Sequence, residues 1–373
     1  MKIKTITCHN VYNYGASLQA YALVRHLKDL GHTVEIIDYN PSYLSNRYNL
    51  WSVSPKWSRS IVLKLMYWLL KVPARLIRDT PRRRAFNHFT KDHLPLTSRT
   101  YRTNEELKSD IPQADLFIAG SDQIWNSTYP NGRDPTFYLD FASATSIKAS
   151  YAASFGTDRL EVELQKSIKA WLTAFDCISV REATGLAILD TIGMSGVQVM
   201  DPAFLLTADE WRGLATDKSI RGKYILVYDF ENNPAIADFA TDLSTRTGLP
   251  IVTLIDNPCY ACKHRYISNA SPWDFLGLIR NGEFIISNSF HGTVFSIIFN
   301  KEFFTFGRMN QNVNSRMTDL LSVLGITDRL ITNATHAGEI RAIDYPAVNA
   351  VLTDRIAHSR AYLRHICEYR RPL

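Results

Sequence analysis

Residues 2–41 read "KIKTITCH", "NVYNYGA", "SLQAYALVRHLKDLG" and "HTVEIIDYNP", and the periodicity changes at each join. Alternation gives a strand, the polar run a loop, and Leu18, Tyr21, Ala22, Leu23, Val24 and Leu27 recur on one face of a helix. Gly31 follows the last turn, where a left-handed cap is wanted, and "VEIIDY" is a second strand. Strand, helix and strand in this order predict a β-α-β unit with a right-handed parallel crossover. The loop carries only one glycine, Gly15. The G-x-G-x-x-G dinucleotide pattern is therefore absent despite Asp38 ending the second strand, and a nicotinamide cofactor is rejected.

The same alternation continues. "ADLFIAGSDQIWN", "IKASYAASFG" and "CISVREATG" are each an apolar strand running into a polar loop, and "VQVMDPAFLL" is a strand broken at Pro202. Because ligands gather at the carboxyl ends of strands in open parallel sheets, these loops are expected along one edge. "KYILVYDF", "LPIVTLID", "GEFIISNSF" and "EFFTFG" then form a second strand series with helices between them. Two such series in 373 residues predict an α/β protein of two Rossmann-like domains facing across a cleft, 1–205 and 206–373. A last helix over 346–369 is expected to pack back on the first domain.

Hydrophobic residues at 46% and charged residues at 21% suit a folded globular chain. Five scattered cysteines and an opening without an apolar signal region predict a reducing, cytoplasmic setting. The net charge of +6 suggests an anionic partner, whether nucleic acid, phosphorylated small molecule or acidic membrane. Between Lys56 and Arg84 basic residues crowd around "IVLKLMYWLLKV", which is too short to span a bilayer. This insertion, 56–84, reads either as a peripheral membrane helix or as one packed on its own domain.

Several clusters suit chemistry. His291 follows "EFIIS" at a strand-to-helix turn, where helix N–H groups receive anions and Ser287, Asn288, Ser289 and Thr293 add short donors. There an imidazole can move protons, the alternative being a structural histidine. Arg181, Arg308 and Arg316 lie at strand ends or just beyond them and suit a phosphate or carboxylate. In "GSDQIWN", Ser121, Asp122, Gln123, Trp125 and Asn126 read either as a sugar platform stacked on indole or as a loop anchored by a core tryptophan. Cys259, Cys262 and His264 give half a zinc site without its other half, so no metal is expected. H-E-x-x-H, G-x-S-x-G and P-loop patterns are absent.

Taken in order, "NYGASLQAYAL", "VEIIDYNP", "GSDQIWN", "YAASFG", "SVRE", "DPAFLL" and "NSFHGTVFSIIFNKEF" resemble the polysaccharide pyruvyl transferase family over about residues 10 to 330. The resemblance implies a GT-B-like fold and transfer of a pyruvyl group from phosphoenolpyruvate onto two sugar hydroxyls as a cyclic ketal, in bacterial surface polysaccharide synthesis. It implies no cofactor beyond phosphoenolpyruvate as co-substrate and no nucleic-acid partner. A lipid-linked oligosaccharide or galactose-type acceptor is implied instead, at the inner face of a membrane. It makes His291 the general acid or base and Arg181 a donor-binding residue, with the second domain on the donor side. Acceptor contacts fall to Asn13, Tyr14 and the "GSDQIWN" loop of the first domain. Relatives with an R-L-H turn carry arginine two residues before the histidine. Here Ser289 stands in that place, leaving Arg308, Arg316 or Ser289 itself to supply the contact. The competing readings are a GT-B glycosyltransferase using a nucleotide sugar and a non-catalytic sugar- or phosphate-binding protein.

Overall fold

The computed structural model describes residues 1–44, 60, 61, 65, 67, 72–218, 220–255, 264–309, 314–331 and 341–371, without the side chains of 72–78. Cys259, Cys262 and most of the basic run 56–71 lie outside them. No helix among the described residues is long and apolar enough to cross a membrane.

The first half is built from β1 (Lys2–Ile6), α1 (Tyr14–Asp29), β2 (Thr33–Tyr39), α2 (Val72–His93), β3 (Leu96–Tyr101), α3 (Asn104–Ser109), β4 (Leu116–Ala119) and β5 (Ile147–Ser150). After these come α4 (Val162–Leu172), β6 (Ser179–Val180), α5 (Ala183–Thr191) and β7 (Val197–Gln198). Its sheet runs β3-β2-β1-β4-β5, every pair parallel. A bridge from Ala149 to Cys177 carries it on toward the β6–β7 pair. All four residues of β4 are buried, as expected of a strand covered on both faces. The chain order reverses between β1 and β4, so their carboxyl ends open a crevice there.

The second half comprises α6 (Ala208–Leu214), β8 (Ile225–Tyr228), α7 (Pro234–Thr247), β9 (Ile251–Thr253), β10 (His264–Tyr266), α8 (Pro272–Asn281) and β11 (Phe284–Ser287). It continues through α9 (Phe290–Ile298), β12 (Glu302–Phe306), α10 (Ser315–Val323), β13 (Leu330–Ile331) and α11 (Tyr345–Glu368). Its sheet is also wholly parallel, β10-β9-β8-β11-β12-β13, with its reversal between β8 and β11.

The two halves share apolar packing. Tyr14 at the start of α1 lies flat on Phe275 of α8, rings 4.6 Å apart and 4° from parallel, and its hydroxyl donates to Ala270 O. Asp319 of α10 accepts from Thr184 N and Oγ1 at the start of α5. Helix α11 reaches the first sheet: Tyr362 Oη donates to Ser150 O at 3.0 Å, and Ser359 Oγ accepts from Met200 N at 2.9 Å.

Candidate active site

His291 is the second residue of α9, and the turn before it is held by its own side chains. Ser289 caps the helix by accepting from Gly292 N, Ser287 Oγ donates to Tyr228 O, and Asn288 bonds Phe230 N and Asp229. Thr293 Oγ1 pairs with Thr305 Oγ1. The polar atoms of Ser287, Asn288 and Thr293, expected to meet the donor, are here engaged in locking β11 to its neighbours and fix where the imidazole points. The bond from Gly292 N likewise gives Ser289 a capping partner rather than a free hydroxyl.

The imidazole meets the first half directly. A Cβ at Gly15 would fall 2.0 Å from His291 Nδ1, so only glycine at the start of α1 leaves room for the ring. Nε2 lies 3.3 Å from Asp201 Oδ2 but out of line for a hydrogen bond. Asp201 sits after β7, ahead of Pro202, and is completely buried at the side chain. Its Oδ1 accepts from Ala203 N, and its Oδ2 accepts from Arg181 Nη1 at 2.8 Å and from Ser121 Oγ at 3.3 Å. Burial would raise this carboxyl, yet His291, Arg181 and the Ala203 N–H outweigh it and hold it well below the usual carboxylate range. Asp201 therefore stays ionised beside the imidazole.

Arg181 follows β6 and is buried, as expected from a strand end. Its Nε donates to Glu182 at 2.7 Å, and Glu182 in turn accepts from Ser154 Oγ. Burial opposes its charge, but Glu182, Asp201 and Asp122 more than offset this and hold the guanidinium above its ordinary value. Arg316 of α10 also stands near the Phe290 ring. The two guanidinium carbons stand 4.1 and 5.6 Å from the centre of that ring. Among the described residues no acid lies within ion-pair distance of Arg316. Burial and then the neighbouring Arg181 push it down to about 10. Gln123 can turn its amide oxygen to Arg316 Nη1 and Nη2, at 3.2 and 3.1 Å. Arg308 stands further out, paired with Glu231 at 2.8 Å and lying over Phe230.

Three buried nitrogens in this cluster, Arg181 Nη2, Arg316 Nε and His291 Nε2, make no hydrogen bond among the described residues, although the last lies 3.3 Å from Asp201. Buried donors are rarely left so, and an anionic ligand is what two guanidinium N–H groups and an imidazolium would share. A cavity of about 20 Å³, room for about one water, lies between Arg181, Asp201, Phe290 and Arg316.

The first-half loop departs from its expected role. Trp125 is fully buried, donates to Phe137 O and stacks on Tyr138, so it anchors the loop and offers no face to a sugar. Tyr14 is likewise buried against Phe275, and Asn126 is buried with its amide on Gln123 and Thr128. Asn13 caps α1, accepting from Gly15 N and Ala16 N. Of that group Asp122 and Gln123 alone face the cluster with part of the side chain exposed. Asp201 and the His291-facing side of Gly15 are not found by sequence reasoning; Glu182, beside Arg181 in sequence, takes the ion pair with it that the sequence allows. The one signal for Asp201 is an acid before Pro202 at a strand end. Among the described residues no group of His, Cys, Asp and Glu could hold a metal ion.

Similar proteins agree with this architecture. UDP-GlcNAc 2-epimerase from Methanocaldococcus jannaschii, solved with UDP-GlcNAc and UDP, superposes with a TM-score of 0.50 at 12% identity, covering 98% of this chain and 100% of its own. A putative UDP-N-acetylglucosamine 2-epimerase from Listeria monocytogenes gives 0.50 at 11%, covering 100% and 98%. The spinosyn forosaminyltransferase SpnP gives 0.51 at 11%, covering 99% and 100%. At such identities they show the fold alone, which is GT-B-like. No curated protein matches the chain. The family model for polysaccharide pyruvyl transferase matches residues 13–310, from the cap of α1 through β12 and past His291. With that match over most of its length, the chain belongs to the polysaccharide pyruvyl transferase family, a family of transferases that modify polysaccharides.

Proposed function

We propose that the protein moves the pyruvyl group of phosphoenolpyruvate onto two hydroxyls of a sugar, forming a cyclic ketal and releasing phosphate. The observation that carries this reading is the set of three buried nitrogens on Arg181, Arg316 and His291 that make no hydrogen bond among the described residues. Phosphoenolpyruvate brings a phosphate and a carboxylate, two anions for two guanidiniums. It also brings a methylene carbon that must be protonated before a hydroxyl attacks its neighbour. His291, its Nε2 3.3 Å from Asp201 Oδ2, is the acid for that step. Arg316 takes the part that an arginine at position 289 would have played. Among the described residues no acid lies within ion-pair distance of it, so it gains most from an incoming anion.

The test is to incubate the protein with phosphoenolpyruvate and a panel of galactosides, following phosphate release and mass gain on the sugar. Phosphate and modified sugar in equal amounts are expected. Consumption of a nucleotide sugar with neither product would replace this reading with glycosyl transfer.

The acceptor is taken to be a lipid-linked oligosaccharide met at a membrane face, which the basic residues of 56–71 suit. Changing Lys56, Arg59, Lys64 and Lys71 to Gln should lower sedimentation with anionic vesicles severalfold. Unchanged sedimentation removes the membrane part of the proposal.

A further inference from the structure

Three carboxylates enter the cluster, and they are not equivalent. Asp201 and Glu182 have side chains 0% and 3% exposed and hold several hydrogen bonds each. Asp122 is 18% exposed, and its carboxylate accepts no hydrogen bond among the described residues. Its closest cation is Arg181 Nη1 at 3.9 Å. Its backbone is nonetheless tightly held: the carbonyl accepts from Ile124 N at 2.8 Å and Ser154 N at 3.1 Å, and the residue bridges to Ala153. The φ angle is 71°, in the left-handed region that few residues other than glycine enter. The kink therefore aims a carboxylate at the cluster and leaves it with only the long 3.9 Å contact to Arg181 and no hydrogen bond among the described residues, a pattern that points to a role in the reaction.

From the proposed function, and resting on it, we infer that Asp122 is the base that takes the proton of the attacking sugar hydroxyl. Once Glu182 and Asp201 have paired with Arg181, Arg316 and Asp122 are the two groups of opposite sign left with open valence. One receives the anionic donor and the other the acceptor's proton. The steps balance as follows. His291 gives its proton to the methylene carbon while the first hydroxyl bonds to the adjacent carbon and passes its proton to Asp122. The second hydroxyl then bonds to that same carbon as the carbon–oxygen bond to phosphate breaks. Its proton returns to His291, and the proton on Asp122 leaves with phosphate. The charged groups facing Asp122 are Arg181 from the turn after β6 and Arg316 from α10, with the buried Cys8 thiol after β1 also in range.

The experiment compares wild type with Asp122→Asn, which keeps the shape and tolerates a positive φ. Expected are a kcat lower by about 10²–10⁴-fold, phosphoenolpyruvate affinity within about 3-fold, and loss of the fall in kcat toward acid pH. Asp122→Glu, which keeps a carboxylate, should retain at least about 10-fold more activity than Asp122→Asn, and serves if the Asn variant does not fold. An Asn variant with near-normal kcat, or one that keeps the acid limb, overturns the assignment. So does a gain in donor affinity at unchanged kcat, which would make Asp122 a mere occupant of the arginines. If wild type itself releases no phosphate with any acceptor, the transferase reading falls and takes this assignment with it. An active wild type with an unaffected Asn variant removes the assignment alone.

Discussion

At the residue scale the account turns on how His291 is held. Gly15 is the sharpest test, because alanine usually favours a helix by about 1 kcal/mol over glycine. Here its methyl would sit on the imidazole. Gly15→Ala should lose about 1–3 kcal/mol of stability through overpacking, lowering the melting temperature, and lose at least about 100-fold in kcat, measured by phosphate release on the folded fraction. Asp201 gives a prediction in pH. Its folded carboxyl lies below the unfolded value of about 3.9, so its contribution is present above that value and fades as pH falls through the folded one. Chemical denaturation at pH 7 and pH 3 should therefore show a smaller loss of stability in Asp201→Asn than in wild type. Arg316 runs the other way. Burial costs its charge, so Arg316→Met should keep or raise the melting temperature without ligand. The same variant should lose the upward shift that phosphoenolpyruvate gives wild type in a thermal melt.

At the element scale, what the sequence made legible was the alternation. β1, α1 and β2 fall where periodicity puts them, and "EFIISNSF" does become β11 and the start of α9. Edge elements were not legible: β3 reads "LTSRTY", polar and largely exposed, and its pairing with β2 is supplied by the sheet rather than by its own pattern. β10 and β13 are two or three residues long, below what alternation can show. Burial of polar loops was equally hidden. Nothing in "GSDQIWN" tells that Trp125 turns inward onto Tyr138 while Asp122 turns toward Arg181, since that choice is made by a backbone kink at position 122. Element packing also yields a test. Tyr362 of α11 donates to Ser150 O at the end of β5, inside the first sheet. Tyr362→Phe leaves that carbonyl without the phenol and should cost about 1 kcal/mol in denaturant unfolding, with phosphate release little changed.

At the scale of the whole molecule, each sheet gives one wall of the site. His291 and Arg316 come from the second half, and Asp122, Arg181 and Asp201 from the first, so the chemistry exists only when both carboxyl edges meet. The structure brings together His291, Arg181 and Arg316, which sequence reading named, with Asp201, which it did not, because ion pairing across a fold leaves no local pattern. The central claim is pyruvyl transfer at this shared edge. It is tested most directly by supplying phosphoenolpyruvate labelled with carbon-13 at C2, together with a galactoside, and following the label by NMR. The account predicts that the labelled carbon becomes a ketal carbon bonded to two sugar oxygens, with wild type and not with His291→Ala. Label that stays in phosphoenolpyruvate or appears only as free pyruvate, or a ketal formed equally well by His291→Ala, would contradict it.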